Sequence, residues 1–386
     1  MIKNKRSGIS LIVLVITIIV IIILAVAVIL SIANNNPIEN AKNAKDKNNQ
    51  ATLEEAAKIA YASIYAEQKI KGDSVSDNAI TEKLRDALKD QGFSSEDLNK
   101  VEVTKNGLYV AKYAPTIPNG FVSSKADGEN NISTGLVIYD GESEVNNENV
   151  DTARKTRNQF VWVPVDDISK FIRESFKDVP LDMTKYKETY NESEKQEFDQ
   201  MYKSVEKYHG FYVARYEASK GSDGLAKSVK NKYPWNNIGF SNNRNMTVLT
   251  GGAYEAARLA YQNSDDKKAK DPISTLMFGV QFDEIVRWLK NSYSNLNSEE
   301  FAWTDNRKLI NTGSNERFKL NNIYDIYDNM MEWTIENYND NARMTRGNAY
   351  KYDYKPTLDA LYYRALPIYP ASGNTNIGFR MAIYLK

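Results

Sequence analysis

Residues 9–30 form an apolar run in which only Ser10 and Thr17 are polar and eighteen of the 22 side chains are Leu, Ile or Val. As an α-helix the run extends about 33 Å, against roughly 30 Å of bilayer hydrocarbon. A helix on the surface of a globular domain keeps one polar face, and this run has none. At about −0.3 to −0.6 kcal/mol per Leu, Ile or Val near the bilayer centre, insertion is favoured by at most about −5 to −11 kcal/mol. Lys3, Lys5 and Arg6 precede the run. The positive-inside rule then keeps the N-terminus in the cytoplasm and sends the remainder out. The expectation is a single-pass cell-membrane protein that contacts lipid through residues 9–30, with its C-terminal part outside the cytoplasm. The competing reading is a cleaved secretory signal, whose apolar core is about 7–15 residues followed by a small-x-small site. Here the core is longer, and Ala25-Val26-Ala27 is followed by further apolar residues.

Composition narrows the chemistry. The 386 residues include no Cys and a single His. That excludes disulfide scaffolds, thiolate nucleophiles, Cys-based zinc sites and any metal centre needing two His ligands from one chain. Fifty Lys and Arg balance fifty Asp and Glu, so the chain is not a globally basic binder of nucleic acid, and no nucleic-acid partner is expected.

Beyond the apolar run the pattern becomes helical and amphipathic. Asn36 is placed to cap, Pro37 suits the first turn and Glu39 falls at N3, which together make a capping box. Ile38, Ala41, Ala44, Ala51, Ala56, Ile59, Tyr61 and Tyr65 leave a loose apolar stripe that stops near Gly72. Ile80, Leu84 and Leu88 repeat a helical spacing. Val101-Glu102-Val103-Thr104 and Leu108-Tyr109-Val110-Ala111 flank Asn106-Gly107, a hairpin signal. Pro115, Pro118 and Gly120 then mark a boundary. Past it, Leu136-Val137-Ile138-Tyr139, Phe160-Val161-Trp162-Val163-Pro164-Val165 and Phe211-Tyr212-Val213-Ala214-Arg215-Tyr216 read as strands, and residues 253–262 and 278–289 as helices. Residues 221–246 and 291–322 read as long polar loops. Mixed short strands, two helices and long loops predict an α+β domain.

Two resemblances follow from motifs. Lys5-Arg6-Ser7-Gly8 followed by Ile9-Ser10-Leu11-Ile12 resembles the start of a type IV prepilin, a short basic leader ending in Gly ahead of the apolar helix. The resemblance implies processing between Gly8 and Ile9 by a prepilin peptidase, and pilin-like subunits as partners. The family carries Glu at the fifth mature position, where this chain has Val13. Within residues 114–386, the segments Phe160 to Val165 and Tyr212-Val213-Ala214-Arg215-Tyr216-Glu217, the helix through Trp288, and Asn322-Ile323-Tyr324-Asp325-Ile326-Tyr327-Asp328-Asn329-Met330-Met331-Glu332-Trp333-Thr334 occur in order. With Arg346-Gly347 and Gly378-Phe379-Arg380, they resemble the formylglycine-generating enzyme (sulfatase-modifying factor) family of C-type-lectin-like fold. Its signature reads roughly N-x-Y-D-x-x-G-N-x-W-E-W; Asp328 replaces the Gly and Met331 the first Trp. The expected division is a basic leader 1–8, a transmembrane or pilin-like helix 9–32, a helical stalk with a small hairpin 33–113, and the lectin-like domain 114–386.

The resemblance also sets expectations for chemistry. That family's oxidase uses two Cys that bind copper after the Arg-Gly motif, and those places fall near Tyr352 and Thr357. Neither side chain supplies a thiolate, so neither copper nor that oxidation is expected. A related branch, the iron-dependent sulfoxide synthases, needs several His, and His209 is alone; it reads as a loop residue. A calcium ion is implied by the signature, held by the Asp325 and Glu332 side chains and the Asp328 and Met330 carbonyls. Asp in place of Gly at 328 would strain a turn that needed φ > 0.

Tyr and Asn crowd the C-terminal part. Tyr338, Asn339, Tyr350, Tyr352, Tyr354, Tyr362 and Tyr363 are the candidate ligand face, because Tyr supplies contact area and a hydroxyl at low entropic cost. The alternative is that half of the tyrosines in this part pack internally, Tyr324 and Tyr362 especially. Arg343, Arg346, Arg364 and Arg380 are expected to hold loops by carboxylate pairing, Arg346 and Arg380 structurally. The leading expectation is an anchored, non-catalytic receptor or adhesin for an extracellular glycan or protein ligand. The alternatives are a minor pilin or pseudopilin, and an enzyme working through carboxylates such as Glu217 with Asp325, whose separation in sequence gives no pairing geometry.

Overall fold

The computed structural model describes residues 37–71, 75–104, 107–174, 191–242, 250–262, 266–293, 308–339, 342–351, 364–368 and 373–386. The apolar run and the Gly8–Ile9 junction lie outside these residues. Among the described residues no helix is long and apolar enough to cross a membrane.

The chain divides into two compact units, residues 1–74 with 83–93, and residues 75–82 with 94–386. In the first, the amphipathic stripe forms α1 (Pro37–Lys71). The second half of α2 (Asp77–Asp90) also belongs to it. Leu53, Ala57, Ala60, Leu84 and Leu88 are its buried apolar positions among the described residues. Their spacings of three and four residues put each set on one helical face.

The second unit opens with α3 (Ser95–Leu98), fixed by a capping box between Ser94 and Asp97. The hairpin follows as β1 (Val101–Thr104) and β2 (Gly107–Val110), in register Thr104 to Gly107. Its Glu102 carboxylate accepts the backbone N–H groups of Ile132 (2.6 Å) and Ser133 (2.8 Å). The hairpin expected to finish the stalk is thus tied to the larger unit.

That unit is a mixed α+β structure, as the pattern of short strands predicts. β3 (Phe121–Ser123), β4 (Val137–Asp140), α4 (Val150–Thr156) and β5 (Gln159–Pro164) lead to α5 (Glu192–Tyr208) and β6 (Gly210–Ala214). The short pair β7 (Ser219–Lys220) and β8 (Ala226–Lys227), α6 (Gly252–Leu259), β9 (Pro272–Leu276) and α7 (Gly279–Ser292) come next. Then β10 (Lys319–Leu320), β11 (Ile323–Tyr324), β12 (Met331–Asn339), β13 (Ala342–Arg346), β14 (Arg364–Ile368), β15 (Ile377–Phe379) and β16 (Met381–Leu385) complete it. One antiparallel sheet runs β3-β4-β5-β6-β16-β9, and a second runs β14-β13-β12-β15, in which β12 and β15 are parallel. β6 and β16 are buried at every position and β5 at all but Pro164. This explains why they read as continuous apolar runs rather than alternating ones. α5 packs on β6 and β16, and α7 on β5 and β12.

α5 was not legible as a helix in advance. Its Asn191–Glu194 capping box starts it, and Met201, Ser204, Val205 and Tyr208 are its buried stripe. It ends at His209, which adopts the left-handed conformation (φ 59°) with its N–H on the Val205 carbonyl at 2.8 Å. The ring stacks on Tyr113 at 3.5 Å between centroids. The lone histidine is therefore a helix terminator. Gly210 follows because a Cβ there would sit 2.3 Å from the Trp162 ring.

Candidate functional site

The signature segment becomes a buried loop between β10 and β12. Asn321, Asn322, Asp325 and Asn329 take positive φ of 44°, 63°, 61° and 76°. Asn and Asp tolerate that region better than other non-Gly residues, because their short polar side chains bond locally. Asp328 is not among them, so the turn that a Gly would have served falls on neighbouring residues, and the expected strain at 328 does not arise. The Asn322 amide donates to the carbonyls of Gly128 (2.6 Å) and Gly135 (2.8 Å). A Cβ on Gly135 would lie 2.1 Å from the Asn321 carbonyl oxygen, so the two loops meet backbone to backbone.

Ion pairs fix this loop from below. Arg380 is fully buried and donates to both oxygens of Glu332, Nη2 at 2.7 Å and Nε at 3.0 and 3.2 Å. It also donates to the carbonyls of Ala214 (2.9 Å) and Tyr324 (2.7 Å). One guanidinium therefore joins β6, β11 and β12. Arg346 pairs with Asp283 (2.8 Å) and Glu336 (3.0 Å), and Arg173 pairs with the same two carboxylates. Arg343 pairs with Glu194 of α5. Arg215 and Arg154 converge on Glu129. Burial alone would raise the Glu129 pKa; the two guanidinium groups hold it below its ordinary value. The expected structural use of Arg343, Arg346 and Arg380 is what the geometry provides. Nothing about the Arg364 side chain falls within the described residues.

Glu217 and Asp325, distant in sequence, meet beneath this loop. Both are buried. Glu217 Oε2 accepts from the Asn329 amide at 2.6 Å, and Asp325 Oδ2 from the Gly313 N–H at 2.8 Å. Glu217 Oε1 and Asp325 Oδ1 have no hydrogen-bond partner. Burial, then the charges of Asp325 and Glu332, push the Glu217 carboxyl well above the usual carboxylate range, with Arg380 and the Asn329 amide opposing. Burial pushes Asp325 up to about 7, against the Gly313 N–H and Arg380 and with Glu332 and Asp328 adding to the rise. The pair is therefore proton-holding near neutrality.

Calcium at the expected four-ligand set meets a specific obstacle. Both Glu332 oxygens accept from Arg380, so an ion would have to displace that guanidinium. Among the described residues, no group of three Asp, Glu, His or Cys is arranged to hold a metal. As catalysts, Glu217 and Asp325 are juxtaposed but only 1% and 0% exposed, so a substrate reaches neither in this conformation.

The expected ligand face falls largely outside the described residues. This applies to Tyr352, Tyr354, Tyr362 and Tyr363 and to the side chains of Tyr338 and Asn339, which end β12. Tyr350 is half-buried, its N–H on the Asn329 carbonyl at 3.1 Å and its ring beneath Lys351 Nζ at 5.7 Å. Tyr324 packs internally, the alternative for it, and donates to Glu316 at 2.6 Å. Trp333 is buried with its indole N–H on the Ile238 carbonyl at 2.9 Å. Compared with protein families, curated proteins and solved structures, the chain has no match in any of the three.

Proposed function

We propose that the chain is a membrane-anchored, surface-displayed, non-catalytic relative of the formylglycine-generating enzymes that binds an extracellular glycan or protein ligand. The observation that carries this reading is the support at the start of the Tyr- and Asn-rich segment: Arg346, at the end of β13, is fully buried between Asp283 and Glu336. A Tyr- and Asn-rich connection on a rigid, ion-paired scaffold is a common arrangement for a binding loop. The absence of Cys removes the thiolate pair on which the resembled oxidase depends. The apolar run at residues 9–30 supports display outside the cytoplasm. The test uses the full-length chain in detergent micelles on a glycan array and in a protein-interaction screen. Specific signal lost on Tyr350→Ala with Tyr352→Ala supports the reading. Silence in both assays beside a working lectin control overturns it.

A second reading, a minor pilin or pseudopilin, is favoured by the basic leader ending in Gly8 and by the 35-residue helix α1 downstream of the apolar run. Mass spectrometry of the mature N-terminus decides it. An N-terminal Ile9 and recovery in sheared filaments support assembly; an intact Met1 or a cut elsewhere rejects it.

A further inference from the structure

The apolar stripe of α1 (Pro37–Lys71) resolves into two separate faces. Leu53, Ala57 and Ala60 are buried within the first unit. Asn48, Ala51, Glu55, Ile59, Ala62 and Ala66 point outward and are exposed, Ile59 by 66%. Their steps of three and four residues average about 3.6, so they follow one line along the helix. In sequence the same steps run back through Ala44 and Ala41. A helix face open to water is normally polar, yet four of these six exposed positions are Ala or Ile. A line of this kind has the form of a helix–helix seam. Small side chains let two axes approach closely, and a single Asn within a seam fixes its register and favours two strands.

The chain ahead of α1 says which helix fills the seam. The apolar run ends at Leu30 and α1 starts at Pro37. That stretch reaches at most about 25 Å even when fully extended. α1 has 35 residues and is therefore about 52 Å long. Two copies held in one membrane by residues 9–30 must begin α1 at similar heights, and they cannot lie fully antiparallel. They offer the same line to each other in the same direction, which is the condition for a closed two-fold contact. Asn48 then meets Asn48, and Ile59 meets Ile59. Glu55 against Glu55 is the one repulsive pair along the line. We infer that α1 pairs in parallel and in register with α1 of a second copy of this chain, through the line from Asn48 to Ala66. The pairing rests on the anchored reading proposed above and not on the ligand proposed there.

The chain has no Cys, so single introduced cysteines report the contact directly. Full-length Ala51→Cys, Ile59→Cys and Ala62→Cys, each oxidised in intact membranes, should give a disulfide-linked pair of identical chains. Glu67→Cys, exposed on another side of α1, should give none. Residues 51 and 62 lie about 16 Å apart along the axis, and a disulfide needs Cα atoms within about 7 Å. Co-expressed Ala51→Cys and Ala62→Cys chains, one of them tagged, should therefore not link to each other. A link between them, as a staggered filament contact would make, overturns the inference. Sedimentation in detergent should give two copies per particle. Ile59→Lys should abolish both signals with an unchanged melting curve, and Glu55→Ala should strengthen the pairing severalfold. Equal linkage through Glu67→Cys, a different protein in the linked product, or particles larger than two copies overturns the pairing. A chain that resists carbonate extraction and yet gives no linked product overturns the pairing alone. A chain that carbonate releases overturns the anchor, and the pairing with it.

Discussion

At the scale of single residues, the interior is held by buried charge. Arg380 has no exposed surface and satisfies Glu332 and two backbone carbonyls. Removing one partner of such a pair strands the other, which costs about 3–5 kcal/mol, whereas replacing both by apolar groups is often nearly neutral. Arg380→Met should therefore lower the urea-denaturation free energy by about that amount, and adding Glu332→Met should recover most of it. A double variant as unstable as the single would show that the carbonyl contacts dominate. Glu217 and Asp325 give a pH signature of opposite sense to an ordinary ion pair. Their folded pKa values are raised, so they bind more protons folded than unfolded, and their contribution to stability is complete below about pH 4 and fades as pH rises toward about 7. The slope is at most about 1.4 kcal/mol per pH unit for each proton. Asp325→Asn should flatten melting temperature against pH between those limits, while added calcium or chelator leaves wild-type melting unchanged. A calcium-dependent rise would support the metal reading.

At the scale of elements, sequence legibility depended on whether the period was visible. β5, β6 and α7 announced themselves because long apolar stretches have few alternative fates. α5 did not, since Glu192–Tyr208 carries its buried face on Met201, Val205 and Tyr208 with charged residues on every turn, and two of the buried positions are Glu194 and Glu197. A buried glutamate looks like surface until its arginine is known. Carboxylate pairing was expected of Arg380, but its partner was not foreseeable, because Glu332 on β12 meets Arg380 only once β15 pairs beside β12. Asn191→Ala removes the cap on α5 and should cost about 1 kcal/mol in thermal or urea unfolding. Gly210→Ala forces a methyl into the Trp162 ring and the Val163 carbonyl on the next strand. Overpacking of this kind costs about 1–3 kcal/mol. A wild-type melting curve for that variant would mean that β5 and β6 are less tightly apposed.

At the scale of the whole molecule, fractionation tests the reading of residues 9–30. The full chain should stay with membranes through high salt and alkaline carbonate and be released by detergent, and a chain lacking residues 1–30 should leave the membrane fraction. Release of the full chain by carbonate alone would remove the anchor from the proposal. The order of strands has its own effect on how such a protein is made. β16 is inserted between β6 and β9, and among the described residues β9 pairs with no other strand. The larger sheet therefore cannot close before residues 381–385 have been made. Until then β9 is unpaired and β6 lacks a neighbour, leaving two sticky borders of the kind that seed aggregation. Chains cut short before residue 381 should consequently be cleared by quality control rather than accumulate.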